Sequence, residues 1–238
     1  MSRDSSSDRP AFDAYATDYD DALAQGISVS GEDKEYFAHG RVQWLARRLR
    51  ESGENPRRIL DFGCGIGTGV RFLGKQYGEA RILGVDISGA SLATGRRLYG
   101  STHIRFLLAE EYQPSGEMDL AFCNGVFHHI PIAGRAQAAA VIHRSLRPGG
   151  LFALWENNPW NPGTRYVMSR IPFDRDAITL PPPETRKLLS TGGFQVLRTD
   201  FLFIFPRLLG WLRRLEPGLA GWPLGAQYLV LGRKVSIA

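Results

Sequence analysis

At 238 residues the chain is long enough for one large domain with a substantial core and short for two. Its 43% hydrophobic and 22% charged residues are ordinary for a globular protein, and no apolar stretch approaches the ~18 residues needed to cross a bilayer. The net charge is +5 and all but four of the 29 basic residues are arginine, but these are scattered, and no RNP, zinc-finger or helix-turn-helix pattern accompanies them, so nucleic acid is not an expected partner.

The opening stretch, MSRDSSSDRP, lacks the apolar core of a secretory signal, so residues 1–11 read as a disordered start and a cytoplasmic location is expected. Residues 12–25 read as a helix that sets Tyr15 and Tyr19 four apart on one face, closed by Gly26. A second helix is expected over 33–50, with Tyr36, Phe37, Trp44, Leu45 and Leu49 as apolar positions, broken by Ser52, Gly53 and Pro56. From Arg57 short strands alternate with helices: strands at 59–62, 81–85, 104–108, 119–123 and 151–155, helices at 68–77, 91–99 and 136–146. Strands separated in this way form parallel βαβ units with right-handed crossovers and a sheet buried on both faces. Cys64 and Cys123 fall near strand ends and fit small buried thiols. The turn Arg147-Pro148-Gly149-Gly150 announces the fifth strand. Beyond it, 157–183 reads as a long proline-rich loop with at most one short helix, followed by a helix at 184–190 and a strand at 195–205. A basic amphipathic stretch at 208–215 and a last strand at 228–231 complete the chain.

The informative residues lie after the first strand, in Ile59-Leu60-Asp61-Phe62-Gly63-Cys64-Gly65-Ile66-Gly67-Thr68-Gly69. Glycines at alternate positions let a strand turn sharply into a helix and let a ligand approach bare backbone. The spacing does not match the G-x-G-x-x-G of a dinucleotide site, whose helix N-terminus holds a pyrophosphate. Asp61, two before the first glycine, would repel a pyrophosphate and favour a cation, and S-adenosylmethionine carries both a sulfonium and an ammonium. The second strand ends in Gly84-Val85-Asp86-Ile87-Ser88, and an acid at that point accepts hydrogen bonds from a ribose diol. An N-cap role for Asp86 is the alternative, which Ser88 can fill as well.

The motifs LDFGCGIGTG, LGVDIS, CNGVFHHIP and LRPGG, in this order and spacing, resemble the class I S-adenosylmethionine-dependent methyltransferase superfamily, in particular its bacterial small-molecule branch, similar to ubiquinone- and menaquinone-type methyltransferases. The resemblance covers roughly residues 12–150. It implies a Rossmann-like α/β fold, a seven-stranded, mostly parallel sheet with an antiparallel last strand, helices on both faces and extra N-terminal helices. One domain is then expected over 12–238, with a helical cap at 12–52, a cofactor-binding half at 57–155 and a substrate-side half at 156–238. Carried over by position, Asp61, Gly63 and Gly65 line the methionine end of S-adenosylmethionine, Asp86 holds the ribose and Ile87 packs on the adenine. Ala109 and Glu110 stand near the adenine amine, where the family usually has Asp in place of Glu110. Asn124 and Gly125 present backbone to the methionine moiety, and Tyr15 and Tyr19 fit a helix that closes over the cofactor or else packs in the core.

Methyl transfer to a hydroxyl needs a base near the acceptor, and His128 and His129, just past the fourth strand, are the candidates; a loop-fixing role is the competing reading. Adjacent histidines lack a third ligand, and Asn124 stands where metal-dependent catechol-type enzymes resemble one another in an acid, so no metal is expected. The expected acceptor is a small molecule, methylated on a hydroxyl oxygen, with carbon or nitrogen as alternatives. A nicotinamide oxidoreductase is disfavoured by the glycine spacing and by the lack of a Tyr-x-x-x-Lys pair, and a non-catalytic cofactor-binding domain by the intact glycines and two acids. The 208–215 stretch is expected to pack its apolar side on the domain or close the site, with peripheral contact to a membrane or lipid-like substrate as the alternative. Oligomeric state is left open.

Overall fold

Asp33 starts the first described helix, α1 (Lys34–Glu51), because its side chain accepts the N–H of Tyr36 at 2.7 Å and so satisfies one of the donors a helix start leaves open. The computed structural model describes residues 30–171 and 177–235. The helix expected at 12–25, with Tyr15 and Tyr19, lies outside them. After α1 come β1 (Arg58–Phe62), α2 (Thr68–Gln76), β2 (Arg81–Asp86), α3 (Gly89–Tyr99), β3 (Ile104–Leu108) and β4 (Met118–Asn124). They are followed by α4 (Ile132–Ser145), β5 (Leu146–Asn157), α5 (Pro162–Arg170), α6 (Pro182–Thr191) and β6 (Phe194–Leu202). A 3₁₀ segment (Arg207–Leu215), a four-residue α7 (Glu216–Leu219) and β7 (Gln227–Lys234) end the chain.

The strands form one seven-stranded sheet in the order β3-β2-β1-β4-β5-β7-β6. β7 is antiparallel to both of its neighbours, and the β1–β2, β1–β4, β2–β3 and β4–β5 pairs are parallel. This is the Rossmann-like methyltransferase arrangement expected from the motifs. Successive residues of β1 feed opposite faces, Ile59 joining the cluster under α1 and α2 and Leu60 the one under α4 and α6. Chain order reverses between β1 and β4, and ligands of open α/β sheets bind beyond the strand ends at such a reversal. Cys64 and Cys123 are free and buried, and burial pushes both thiols well above the usual cysteine range.

Three elements differ from the sequence reading. The Arg147-Pro148-Gly149-Gly150 turn is an excursion inside β5, since Leu146 already pairs with Met118 before the register jumps to Leu151 opposite Leu120. β6 stops at Leu202 because Phe203 takes φ 62°, a left-handed conformation that turns the strand away. Its ring packs 4.9 Å from Phe37 and 5.8 Å from Tyr36, which holds the strained residue. The 208–215 stretch is 3₁₀ and none of its residues is buried, so it does not pack an apolar side into the core.

Asp200 of β6 fixes α1 over the sheet. Buried, it accepts Trp44 Nε1 at 2.8 Å, Arg48 Nε at 2.8 Å and Arg198 Nε at 3.1 Å. Removing one partner of such a network leaves buried donors unsatisfied. Asp200→Ala is therefore expected to lower unfolding free energy by about 3 kcal/mol in urea titration, whereas an equal midpoint and slope would show the network to be idle.

Candidate active site

The carboxyl ends of β1, β2 and β4 open into a cavity of about 440 Å³. Its wall brings together Asp61, Gly63, Gly65, Asp86, Ile87, Ala109, Asn124, Gly125 and His129, nearly the whole set singled out in the sequence. Glu110 is exposed and is not part of that wall, nor is His128, and Tyr15 and Tyr19 lie outside the described residues. β2 stops one residue before Ile87, so Ile87 and Ala109 sit just past their strands.

Gly63 (φ 75°) and Gly65 (φ 53°) need glycine for different reasons. A Cβ at Gly63 would stand 2.3 Å from Val126 Cγ2, so the β1 and β4 loops meet only because it is absent. At Gly65 a Cβ would meet nothing within 4 Å, so bare backbone faces open space beside the cavity. The loop's amides are turned inward. Gly63 and Cys64 N–H donate to the Val85 carbonyl at 2.7 and 3.1 Å, Gly65 N–H to Asp86 Oδ2 at 2.7 Å, and Gly67 N–H to the Cys64 carbonyl at 2.9 Å. A phosphate cradle needs such amides pointing at the ligand, and these four do not.

Asp61 occupies the place where a pyrophosphate would sit. Its Oδ2 lies 2.8 Å from where a Cβ of Gly69 would be, against the first turn of α2, so the helix end that favours an anion faces the protein's own carboxylate. Asp61 is 3% exposed; burial and the Asp86 charge push its carboxyl up to about 7, against the opposing pull of Arg41. A buried acid held near half-ionised at neutral pH beside a cavity gains from a cationic ligand and loses from an anionic one. Asp86 binds Gly65 N–H through Oδ2 and Ser88 N–H through Oδ1 at 2.9 Å, while Ser88 caps α3 by accepting the N–H of Ser91 at 3.1 Å. The capping role is thus Ser88's, and Asp86 ties the two loops together at the cavity wall.

A second cavity, about 380 Å³, opens next to the first and shares Lys34, Arg41, Asn124, Gly125 and His129 with it. Its remaining wall combines Tyr36, Phe37, Phe203 and Met168 with Arg213 and Gln227. His128 also lines it, although 4% exposed: its Nδ1 lies 2.6 Å from Glu156 Oε2, and Glu156 Oε1 accepts the Phe127 N–H at 2.9 Å. A carboxylate accepts, so Nδ1 carries the hydrogen and the tautomer is set. The rings of His128 and His129 lie 4.1 Å apart.

Residues 59–150 match the family described as Methyltransferase domain. Over 121 residues the chain is 31% identical to trans-aconitate 2-methyltransferase of Rhodopseudomonas palustris strain BisB18, covering 50% of this chain and 46% of that protein. It is 34% identical over 122 residues to malonyl-[acyl-carrier protein] O-methyltransferase of Legionella pneumophila, covering 50% and 39%. The chain thus spans less than half the length of these curated relatives. Magnesium protoporphyrin IX methyltransferase of Synechocystis PCC 6803, solved with bound SAH, shares the fold at TM-score 0.64 and 18% identity, over 97% of this chain and 100% of that one. Residues 59–150 thus carry the match to a methyltransferase domain, and the chain as a whole shares the fold of solved methyltransferases.

The first cavity fits S-adenosylmethionine: a buried acid poised for a cation, inward-turned amides and a second acid at the end of β2. Sequence reading missed Lys34, Arg41, Glu156, Arg213 and Gln227. Lys34 and Arg41 are seven apart, two turns on one face of α1, and that spacing was the available signal. Glu156 lies 28 residues from His128 and Gln227 binds Arg41 Nη1 at 2.8 Å across 186, pairings that no local pattern announces. Asp86→Ala should weaken S-adenosylmethionine binding by roughly 1–3 kcal/mol in calorimetry, through the lost loop tie and the lost acceptor. Unchanged affinity would remove Asp86 from the binding wall.

Proposed function

We propose that the protein transfers the methyl group of S-adenosylmethionine to an oxygen of a small acceptor bearing a carboxylate, seated in the second cavity. The observation that carries this reading is the common wall: Asn124, Gly125 and His129 border both cavities, so two ligands would meet there. Bound S-adenosylmethionine supplies an electrophilic methyl, leaving the chain to hold the acceptor and exclude water. Asp61 and Asp86 would hold the cofactor's charged and ribose ends, with Gly63, Gly65, Ile87, Ala109, Asn124 and Gly125 shaping the rest of its cleft.

The acceptor class follows from charge. Lys34, Arg41 and Arg213 reach the second cavity, where Glu32 is the acid, paired with Arg213 at 2.8 Å. Arg213 also donates Nε to the Phe205 carbonyl at 3.0 Å and lays its guanidinium 4.6 Å from the Tyr36 ring centre. Its Nη2 is buried with no hydrogen-bond partner among the described residues, and an unmet buried donor costs about 1–3 kcal/mol unless a ligand oxygen accepts from it. Relatives named for trans-aconitate and for malonyl-[acyl-carrier protein] support an acid acceptor. A carboxylate oxygen is already anionic at neutral pH, so it needs no base, and His129 would orient it at the shared wall.

The second reading is the hydroxyl acceptor, favoured by the pairing of His128 with Glu156, which holds an imidazole as a base requires. Turnover with tritiated S-adenosylmethionine and a panel of carboxylic acids, trans-aconitate among them, separates the two. The expected product is a base-labile methyl ester, formed at a rate that does not rise with histidine deprotonation. Arg213→Gln is expected to raise KM about tenfold with kcat nearly unchanged. A base-stable ether, together with a loss of about 100-fold in His128→Gln, would install the hydroxyl reading instead.

A further inference from the structure

The stretch 206–224 leaves several of its large apolar side chains in water. Leu208 is 89% exposed, Trp211 67%, Trp222 65%, and Leu215 and Leu224 are half exposed. Trp160 joins them from the β5–α5 turn: Asn158 Nδ2 donates to the Pro223 and Gly225 carbonyls at 3.2 and 2.8 Å, and Asn161 Nδ2 to the Leu224 carbonyl at 2.7 Å. Three of the five tryptophans are thereby exposed on these neighbouring turns, while Trp44 and Trp155 are buried. A side chain of this kind gains about 1.5–3 kcal/mol from leaving water, so a cluster left in it marks a surface meant to be covered.

The charges say what covers it. Arg207 and Arg214 are exposed within the cluster, and Arg213 is turned inward to Glu32. The sole acid between 206 and 225 is Glu216, whose Oε1 accepts the N–H groups of Ile204 and Phe205 at 3.2 and 3.0 Å. Exposed arginines beside tryptophan and leucine suit the headgroup region of an anionic bilayer, where guanidinium meets phosphate and indole straddles the boundary. The side chains protrude from three separate places, the 3₁₀ segment (Leu208, Trp211, Leu215), the turn before β7 (Trp222, Leu224) and the β5–α5 turn (Trp160). A rigid protein partner would need a matching pit for each, whereas a lipid interface deforms around them.

We infer that the 206–224 segment, with Trp160, docks the protein peripherally on an anionic lipid surface. No described helix is long and apolar enough to cross a membrane, so the contact is interfacial. Phe205, Pro206 and Arg213 of the same region wall the second cavity, so docking would set the acceptor's cavity beside the bilayer.

The test is co-sedimentation of the full chain with extruded vesicles, of phosphatidylcholine alone or mixed with phosphatidylglycerol, alongside tryptophan emission. Binding to the anionic vesicles with a blue shift is expected. Partition should be about tenfold weaker for the joint variant Trp211→Ser and Trp222→Ser, and similarly weaker for Arg214→Glu, with thermal unfolding unchanged in both. No partition at low salt, or equal partition by all three proteins, would overturn the proposal. So would a concentration-dependent dimer lost in the tryptophan variant without vesicle binding, since a second copy would then be the cover.

Discussion

A carboxylate buried at the floor of a cavity governs the cofactor side of this protein. Asp61 stands at the end of a central strand, against the first turn of α2, with its carboxyl raised to about 7 by burial and by Asp86. Nearby, the loop that would cradle a phosphate spends its amides on Val85, Asp86 and Cys64. An anion would face a second anion in low dielectric with few donors to receive it; a cation would relieve both acids. The choice between a dinucleotide and a sulfonium nucleoside is thus an electrostatic one, made by the direction of a few N–H groups.

The second cavity depends on α1 and on the ends of β4 and β5. Asp200 fastens α1 through Trp44 and Arg48, and the same helix delivers Lys34 and Arg41 to the wall shared by the two cavities. The β4 end brings Asn124, Gly125 and the histidines, and Glu156 from β5 sets the His128 tautomer. Phe203, held left-handed by the aromatic rings of α1, turns the chain out of the sheet and into the wall of the second cavity. Fold alone does not select an acceptor; the cations of this wall are what bear on it.

Much of this was legible in the sequence because the signals are local. Parallel strands buried on both faces leave continuous apolar runs, and the β1 turn needs glycines at fixed offsets, so Asp61, Gly63, Gly65 and Asp86 could be placed before any coordinates. What stayed hidden is non-local or one-residue in origin. No pattern foretells that Phe203 ends β6 or that the Arg147–Gly150 turn lies inside β5. The 208–215 stretch has the composition of a helix that packs, yet it forms 3₁₀ turns with Leu208 and Trp211 outward. Glu110 followed the family position in sequence but not into the cavity wall.

The most direct measurement is calorimetric titration of S-adenosylmethionine at pH 7.5 and pH 6, in buffers of different ionisation heat. With Asp61 near 7 in the free protein, a cationic ligand favours its ionised form, so binding should weaken by about eightfold at the lower pH and release close to one proton there. Asp61→Asn should bind with no such pH dependence. Affinity that is flat or rises toward pH 6 in the parent protein, or tight binding of NADH in place of S-adenosylmethionine, would contradict a site built around a buried acid awaiting a cation.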